Sequence, residues 1–377
     1  MKKYGTLCSK VKNHININYK LGKDNLYLSL KCGRAILNHI ILKPKRLSQY
    51  PTTIQLPITY KCNFDCVMCG MRSLIHNTDF TAEQLGQILN DKLYSKVVSV
   101  GINGGEPFLK ADLVSCIEMI IKKIPTLKSF SIISNGYFTE RICEQLEKIK
   151  RICSENSVKV HFMLSVDGIE DMQDHMRGTK GAWENVNKTL DYLTNNADKY
   201  YDSLKIVCTI TKYNVFRIYE VESWAKENCL AISYNIATIN VRIANENRVN
   251  DFSIFADVEA KMFAAEFFYK KFYETKSEKY FAIYLYIING QRYAECDCKH
   301  NRWVTLTPDG QLGYCATHSK NLGSALNNSS YELFNGNISY LREIKKEYCA
   351  NCSHYIYKLD NKGILQYYNE LKRINRC

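Results

Sequence analysis

The sequence lacks the features that would carry the chain into or across a membrane. No apolar signal-peptide core follows Met1, and the longest apolar run, residues 281–288, is far shorter than the roughly 20 residues of a membrane-spanning helix. Internal repeats and low-complexity segments are lacking as well. These absences exclude an integral membrane protein and a repeat array, and they predict a soluble, cytoplasmic protein.

Acidic residues are also in short supply. The 377 residues include 51 Lys and Arg but only 38 Asp and Glu, so the formal net charge is +13. Such an excess favours an acidic peptide, a phosphorylated or nucleotide-linked sugar or a membrane surface as partner, although a solvated surface without a partner gives the same composition. We expect no nucleic-acid partner. The N-terminal segment contributes Lys10, Lys12, Lys20, Lys23, Lys31, Arg34, Lys43, Lys45 and Arg46.

Cysteine, in contrast, is abundant. Sixteen cysteines in a chain without an export signal predict reduced thiols and metal sites, not a disulfide framework. Three of them, Cys62, Cys66 and Cys69, follow a C-x3-C-x2-C spacing that puts three thiolates on one short loop. A cubane iron–sulfur cluster has four irons, so three thiolates leave one iron open for a small molecule. Two alternatives remain: a zinc site completed by His76, and a set of buried structural thiols.

The apolar runs predict alternating strands and helices. The expected strands cover residues 54–60, 97–102, 128–134, 159–166, 204–210 and 231–236, and the expected helices cover residues 81–93, 111–124, 139–151, 183–193 and 215–228. The first helix begins with a capping-box pattern, Thr81-Ala82-Glu83-Gln84. Such alternation builds parallel βα units, so we expect an α/β fold with a partial (β/α)6 barrel. Its chemistry should lie at the C-terminal ends of the strands, as in complete barrels.

Small and polar residues follow three of these strands. Gly104-Gly105-Glu106-Pro107 follows the second strand, Ser134 and Asn135 follow the third, and Ser165 and Asp167 follow the fourth. Glycines let a backbone approach a ligand closely, and a carboxylate can accept hydrogen bonds from a cationic amino group. Taken singly, each segment could also be an ordinary turn or helix cap.

Together, the cysteine loop and the Gly-Gly-Glu-Pro segment resemble the signatures of the radical S-adenosylmethionine (SAM) enzymes. The resemblance implies that Cys62, Cys66 and Cys69 hold a [4Fe-4S] cluster and that the amino and carboxylate groups of SAM bind its open iron. It further implies that an electron from a flavodoxin or ferredoxin-type donor splits SAM. The resulting 5′-deoxyadenosyl radical would remove a hydrogen atom from the substrate.

The same resemblance implies roles for the strand-end residues. The Gly104-Gly105-Glu106-Pro107 segment would hold the amino group of SAM, and Arg177 would face its carboxylate. Arginine suits bidentate recognition of a carboxylate, although a surface arginine on a loop is the commoner meaning. The ribose and methionine parts of SAM would contact Ser134, Asn135, Ser165 and Asp167.

A second group of cysteines lies in the C-terminal quarter. Cys298 precedes a predicted β-hairpin with the turn Pro308-Asp309-Gly310, Cys315 lies at its far end, and Cys349 and Cys352 form a C-x2-C pair. Four thiolates are enough to close a second cubane. A zinc ribbon with the same ligands is the alternative.

The order of these cysteines resembles the auxiliary-cluster domains called SPASM and Twitch. Only Cys377 follows the C-x2-C pair, so the shorter, Twitch-like form with one auxiliary [4Fe-4S] cluster is favoured. Cys296 could replace Cys298 as a ligand, and Cys377 could be a terminal ligand or none.

Four regions follow from these patterns. Residues 1–50 form a basic N-terminal segment, in which residues 26–42 could form a helix on the outside of the barrel. Residues 51–240 form the barrel, residues 241–295 a helical bridge, and residues 296–377 the auxiliary-cluster domain, which we expect to be a small iron–sulfur domain made of a hairpin and a helix. The bridge is predicted from an apolar helical stripe made of Ile254, Val258, Met262, Ala265, Tyr269 and Phe272.

The resemblance also suggests what the protein acts on. Proteins with this architecture commonly crosslink, oxidise or epimerise residues of ribosomally made peptides, so we expect a peptide substrate. The alternative is a dehydrogenase or epimerase that acts on a sugar or another small molecule. An epimerase would need a hydrogen-atom donor, for which Cys208 and Cys229 are candidates.

Overall fold

The computed structural model describes residues 47–73, 79–354 and 356–374, together with the single residue Gly33. The basic residues before position 47, the expected helix over residues 26–42, His76 and Cys377 lie outside the described residues. No helix within the described ranges is long and apolar enough to cross a membrane.

One nine-stranded sheet organises the described residues. Its order is β6-β5-β4-β3-β2-β1-β7-β8-β9, and β1 to β6 are all parallel. This is the predicted α/β architecture of a partial (β/α)6 barrel. The strands are β1 (Thr53–Thr59), β2 (Ser99–Gly104), β3 (Ser129–Ser134), β4 (Lys159–Ser165), β5 (Ser203–Ile210), β6 (Ile232–Ile236), β7 (Trp303–Leu306), β8 (Gln311–Gly313) and β9 (Gly323–Ser324).

The helices follow the strands as the sequence predicts, and the capping box at Thr81 is present. The sequence pattern does not predict the short helices Asp171–Arg177 and Ala197–Tyr200, whereas the helices after residue 241 fall in the predicted helical bridge or in the C-terminal domain, for which no individual bounds were predicted. The helices are α1 (Ala82–Leu89), α2 (Leu113–Lys123), α3 (Thr139–Glu155), α4 (Asp171–Arg177), α5 (Ala182–Asn195), α6 (Ala197–Tyr200), α7 (Ile218–Glu227), α8 (Val249–Phe252), α9 (Val258–Thr275), α10 (Glu278–Asn289), α11 (Ser330–Gly336), α12 (Ile338–Glu347) and α13 (Asn361–Ile374).

Side chains of the central strands alternate between a closed face and an open one. In β3, Phe130 and Ile132 are fully buried in the core, while Ser131 and Ile133 are partly exposed. Successive strand residues point to opposite faces, so helices cover the first set and the second set borders open space. The open face is therefore available for a ligand.

The C-terminal hairpin is present, but it is not a separate appendage. Strand β7 pairs in parallel with β1, with Ile54 opposite Val304, and β8 then pairs antiparallel to β7. An unpaired edge of β1 would expose a row of backbone donors and acceptors, and β7 satisfies them. The hairpin thus extends the barrel sheet on the side opposite β6.

The expected apolar stripe of the helical bridge is wrong at Val258 and Met262, while Ile254, Ala265 and Phe272 are buried as predicted. Val258 and Met262 are 78% and 60% exposed, whereas Phe267 and Phe268 of the same helix are fully buried. Apolar residues surround helix α9 on several sides, so spacing alone does not identify the buried face. The packing against Tyr234 of β6, whose ring centroid lies 4.9 Å from that of Phe267, decides it.

We predict that Phe267→Ala lowers the free energy of unfolding by about 3–5 kcal/mol, because it leaves a cavity in a closely packed core. The matched control is Met262→Ala on the exposed side of the same helix, which should change that free energy by no more than about 0.5 kcal/mol. Chemical denaturation of both variants checks the assignment. Equal losses would mean that α9 is oriented differently.

Candidate active site

A pocket opens at the C-terminal ends of β1 to β4, where the sequence predicts it. It contains about 770 Å³ of space not filled by protein atoms, counted to its open mouth, which lies within the range of about 300–1,000 Å³ typical of small-molecule sites. All three cysteines of the first group lie in its wall. The lining residues are Cys62, Phe64, Cys66, Met68, Cys69, Met71, Arg72, Gly104, Gly105, Ile133, Ser134, Asn135, Ser165 and Arg177.

The cysteine loop is held from two sides by its backbone. On one side, the N–H of Val67 donates to the carbonyl of Met176 in α4, at 3.1 Å. On the other side, the N–H of Gly70 donates to the carbonyl of Ile243, at 2.8 Å, and the Asn245 side chain donates to the Met68 carbonyl, at 2.8 Å. The second support comes from the start of the predicted helical bridge, which the sequence pattern did not connect with the site. Together the two supports keep the thiols in one place without using the thiols themselves.

Burial disfavours the ionised form of the three thiols. Burial raises the pKa of Cys62 to about 11 and that of Cys66 to about 12, and it also raises the pKa of Cys69. Neighbouring thiolates of the group add to the increase at Cys62 and Cys66, while the Arg177 guanidinium opposes it at all three. Three thiolates therefore need further positive charge beside them, which a metal cluster supplies.

No three Cys, His, Asp or Glu side chains within the described ranges converge on a single point as ligands of one metal ion. A cubane binds each thiolate on a different iron, so its ligands are spread around the cluster instead of meeting at one ion.

The two glycines of the Gly-Gly-Glu-Pro segment approach the cysteine loop directly. The Gly105 N–H donates to the carbonyl of Thr59, and the Glu106 N–H donates to that of Lys61, each at 2.8 Å. A Cβ on Gly105 would lie 2.1 Å from the Lys61 oxygen, and Gly104 has a φ of +129° that L side chains rarely adopt. The close approach that the glycines permit is thus to the backbone of the cysteine loop. Pro107 is buried and begins the 3-10 turn Pro107–Leu109.

Glu106 lies behind the pocket wall, with 1% of its surface exposed. Its carboxylate accepts hydrogen bonds from the Ser134 hydroxyl at 2.9 Å, the Asn135 N–H at 2.8 Å and the Phe108 N–H at 3.2 Å. Burial raises its pKa to about 7, although these three bonds oppose the increase. The contact between Glu106 and the amino group of SAM stays a prediction. In the structure its carboxylate holds Ser134 and Asn135 at the pocket.

Arg177 and Asp167 form a buried ion pair of 2.7 Å beside the cysteine loop. Asp167 is fully buried and does not line the pocket, whereas Arg177 does, and its Nη1 lies 3.9 Å from the Cys66 sulfur. Its Nε is buried without a hydrogen-bond partner, which fits a ligand carboxylate in the pocket. Arg177 belongs to helix α4, not to the surface loop that the alternative interpretation required.

All four cysteines predicted to hold the auxiliary cluster surround one other cavity. Cys298, Cys315, Cys349 and Cys352 line it, and Cys296 lines it too. Burial raises the pKa values of Cys349 and Cys352 to about 11. The Thr317 hydroxyl also lines this cavity, and its oxygen is buried without a hydrogen-bond partner, which fits a bound group with acceptor atoms. His318 and His354 complete the wall without any signal in the sequence.

Arg242 lies near both cysteine groups. Arg242 donates from Nη1 to the Asn103 side chain at 3.3 Å, and its charge lowers the pKa values of Cys69 and of His354 in the second cavity. It therefore lies between the two cysteine groups.

The candidate hydrogen-atom donors lie elsewhere: Cys208 is buried in β5 and Cys229 follows α7, and neither lines the pocket.

We predict that the stability advantage of the wild type over Glu106→Gln decreases as the pH rises. The buried carboxyl has a pKa of about 7 against 4.5 for its ordinary value, so the folded state holds its proton more tightly than the unfolded state does. The resulting stability is complete below about pH 4.5 and is lost as the pH passes through 7, with a total change of roughly 3 kcal/mol. Denaturation of both iron-free proteins across this pH range measures it. A constant difference would contradict the assignment.

Comparison with known proteins agrees with this geometry. Residues 56–210 match the family model described as the radical SAM superfamily. A probable GTP 3′,8-cyclase of Methanococcus maripaludis is 34% identical over 97 residues, which cover 25% of this chain and 32% of that protein. The GTP 3′,8-cyclase of Pasteurella multocida is 28% identical over 161 residues, which cover 38% and 47%. The chain thus spans only a third to a half of the length of these curated relatives.

Solved structures share the fold over a greater length. The anSMEcpe structure with bound AdoMet and Cp18Cys peptide has a TM-score of 0.56 at 16% identity, and the match covers 86% of this chain and 98% of that one. Streptococcus suis SuiB bound to the precursor peptide SuiA has a TM-score of 0.55 at 15% identity, with 89% and 80% covered. The matched segment contains the cysteine loop and the Gly-Gly-Glu-Pro segment, and residues 56–210 are thus similar to the radical SAM superfamily of enzymes.

Proposed function

We propose that this protein is a cytoplasmic radical SAM enzyme that modifies a ribosomally synthesised peptide. The observation that carries the SAM chemistry is the pocket at the strand ends, which brings Cys62, Cys66 and Cys69 together with Arg177. These residues lie 108 or more positions from Arg177 along the chain, so the fold alone assembles them. A purely structural set of thiols would not need a pocket of this size beside it.

The residues of the pocket divide the binding of cluster and SAM between them. When bound, the [4Fe-4S] cluster supplies one electron that splits SAM into methionine and a 5′-deoxyadenosyl radical, which takes a hydrogen atom from the substrate. Cys62, Cys66 and Cys69 would hold the cluster. Arg177 offers its Nε–H to the SAM carboxylate, while Asp167 keeps the guanidinium oriented and balances its charge.

Other pocket residues would hold the rest of SAM. Ser134 and Asn135 lie in the wall because Glu106 fixes them from behind. Ser165 also lies in the wall, and its carbonyl is already fixed by the Gln173 side chain at 3.1 Å. Rigid support of this kind limits the positions that the adenosyl group can take, which favours reaction at one hydrogen of the substrate.

An auxiliary [4Fe-4S] cluster in the second cavity completes the proposal. Cys298, Cys315, Cys349 and Cys352 would hold it, with Cys296 as a fifth thiol within reach. Such a cluster could accept the electron that remains on the substrate after hydrogen abstraction, so that the net reaction is a two-electron oxidation with release of a proton. A flavodoxin or ferredoxin-type protein would supply the electron that starts each cycle.

The peptide substrate is supported by the proteins that share the fold over most of their length. Two of them were solved with peptides bound, Cp18Cys and SuiA respectively. The alternative is a small-molecule substrate, as in the GTP 3′,8-cyclases. Their similarity covers 25–43% of this chain. This share supports a common SAM-binding core more than a common substrate.

We expect that replacing Cys62, Cys66 or Cys69 by alanine abolishes formation of 5′-deoxyadenosine under dithionite. Each change removes a thiolate from the cluster that donates the electron. Cys116→Ala is the matched control, because Cys116 is a buried cysteine of helix α2 outside both cavities. Chromatographic quantification of 5′-deoxyadenosine tests this prediction. Full activity in any of the three loop variants would reject the cluster site.

The substrate class can be separated from the SAM chemistry. We expect a synthetic copy of a short peptide encoded beside the gene to increase 5′-deoxyadenosine formation, and to lose two hydrogen atoms or to gain deuterium from D2O. GTP, tested in parallel, should be recovered unchanged. Mass spectrometry of both candidates provides the measurement. Conversion of GTP with an unaltered peptide would favour the small-molecule alternative.

A further inference from the structure

Arg292 occupies the centre of the second cavity's wall and hydrogen-bonds main chain on both sides of it. Its Nε donates to the carbonyl of Ala294 at 2.9 Å, and its Nη2 donates to that of Glu295 at 2.8 Å. Its Nη1 donates to the carbonyls of Cys352 at 3.0 Å and of His354 at 2.5 Å. One guanidinium therefore connects four carbonyls from two segments of the chain.

These two segments carry most of the cysteines in the cavity. Ala294 and Glu295 lead directly into Cys296 and Cys298, while Cys352 and His354 end the C-x2-C segment more than fifty positions later. Other contacts join the same parts of the chain: the Arg292 N–H donates to the Ala350 carbonyl at 2.8 Å, the Glu295 N–H to the Lys358 carbonyl at 2.9 Å, and the Tyr357 hydroxyl to the Asp297 carboxylate at 2.5 Å. To these contacts the side chain of Arg292 adds two hydrogen bonds, so a single guanidinium in the cavity wall holds the carbonyls of Cys352 and His354 beside the segment of Cys296 and Cys298.

A lysine at position 292 could not make the same four hydrogen bonds. The guanidinium is planar, permanently charged and carries five N–H donors in a fixed fork, whereas a lysine ammonium has three donors on a flexible stem. Moreover, a guanidinium in the cavity wall places a fixed positive charge beside the thiolates. Net charge and hydrogen bonding around an iron–sulfur cluster set its reduction potential, and a positive charge favours the reduced, more negative form.

We propose that Arg292 is a positioning residue for the auxiliary cluster: it joins the two cysteine segments and raises the potential at which the cluster accepts an electron. This inference rests on the proposed function, because it requires a cluster in the second cavity. Arg292 would thus have two effects: it would hold the cavity together, and it would raise the reduction potential of the cluster bound there.

The test uses the full chain, reconstituted with iron and sulfide without oxygen, and compares Arg292→Gln with Arg292→Lys. The wild type should hold about eight irons per chain, as expected for two cubanes. We expect Arg292→Gln to fall to about four irons while it still forms 5′-deoxyadenosine, which shows that the barrel is folded and its own cluster is present. In any fraction that keeps the auxiliary cluster, the equilibrium for its reduction should fall at least tenfold, or about 59 mV for one electron.

Arg292→Lys keeps the charge but not the fork. It should lose part of the auxiliary iron, and the clusters that remain should keep the wild-type potential in an electron paramagnetic resonance titration. Lys299→Gln is the matched control, because Lys299 lines the same cavity and no side-chain hydrogen bond or ion pair joins it to another residue of the described ranges. It should keep about eight irons.

Two results would count against the role of Arg292 alone, and a third against the auxiliary cluster. Eight irons with an unchanged potential in Arg292→Gln would overturn the inference and leave the proposed function intact. An equal loss of iron in Lys299→Gln would show that charge, not the fork, assembles the site. Four irons in the wild type, with no further loss in Cys349→Ala/Cys352→Ala, would instead reject the auxiliary cluster itself.

Discussion

The active-site pocket depends on a backbone contact that involves no functional side chain. The turn formed by Gly104 and Gly105 lies directly against the end of β1, where successive N–H groups donate to the carbonyls of Thr59 and Lys61. Because no Cβ separates the two backbones, the cysteine loop and the end of β2 are fixed relative to one another within hydrogen-bonding tolerance. Every other wall of the pocket is built outward from this contact.

Polar side chains then connect the remaining strand ends to the same loop. Glu106 continues from the glycine turn and holds the backbone of Asn135, whose side chain donates to Asn63 of the cysteine loop at 2.8 Å. From the fourth strand, Asp167 orients Arg177, which reaches Cys66. Buried networks of this kind are stabilising only when their members are satisfied together, so a change at one member should be felt at the others.

Sequence reasoning succeeded where the physical cause is local. The capping box at Thr81, the strand preceding each polar turn and the hairpin around Gly310 all follow from residues within one or two turns of each other. The candidate site residues were predicted from equally local patterns, because their spacing is short or they end a strand; their roles stay predictions. The sequence pattern did not predict that Arg177 lies in a helix, because the short segment before Gly178 has no apolar periodicity that would identify one.

What depends on distant parts of the chain could not be read from the sequence. The parallel pairing of β1 with β7 joins residues about 250 positions apart, and neither strand has a pattern that selects the other. The buried face of α9 is chosen by Tyr234, not by the helix's own periodicity. Similarly, nothing around Arg292 or His354 distinguishes them from surface residues until the two cysteine segments meet.

The pairing of β7 with β1 has a mechanical consequence for the whole enzyme. Strand β1 runs into the first cysteine loop, and the hairpin that begins with β7 separates Cys298 from Cys315, so neighbouring strands of one sheet support both cysteine groups. Hydrogen-bonded strands keep a fixed spacing, and strands in the core of a sheet separate only when the whole domain unfolds. The distance between the two cysteine groups is therefore fixed by the sheet. Under the proposed function, a substrate that reacts beside the first cysteine group and passes its electron to a cluster at the second must be long enough to match that distance, so the sheet itself would select substrates by length.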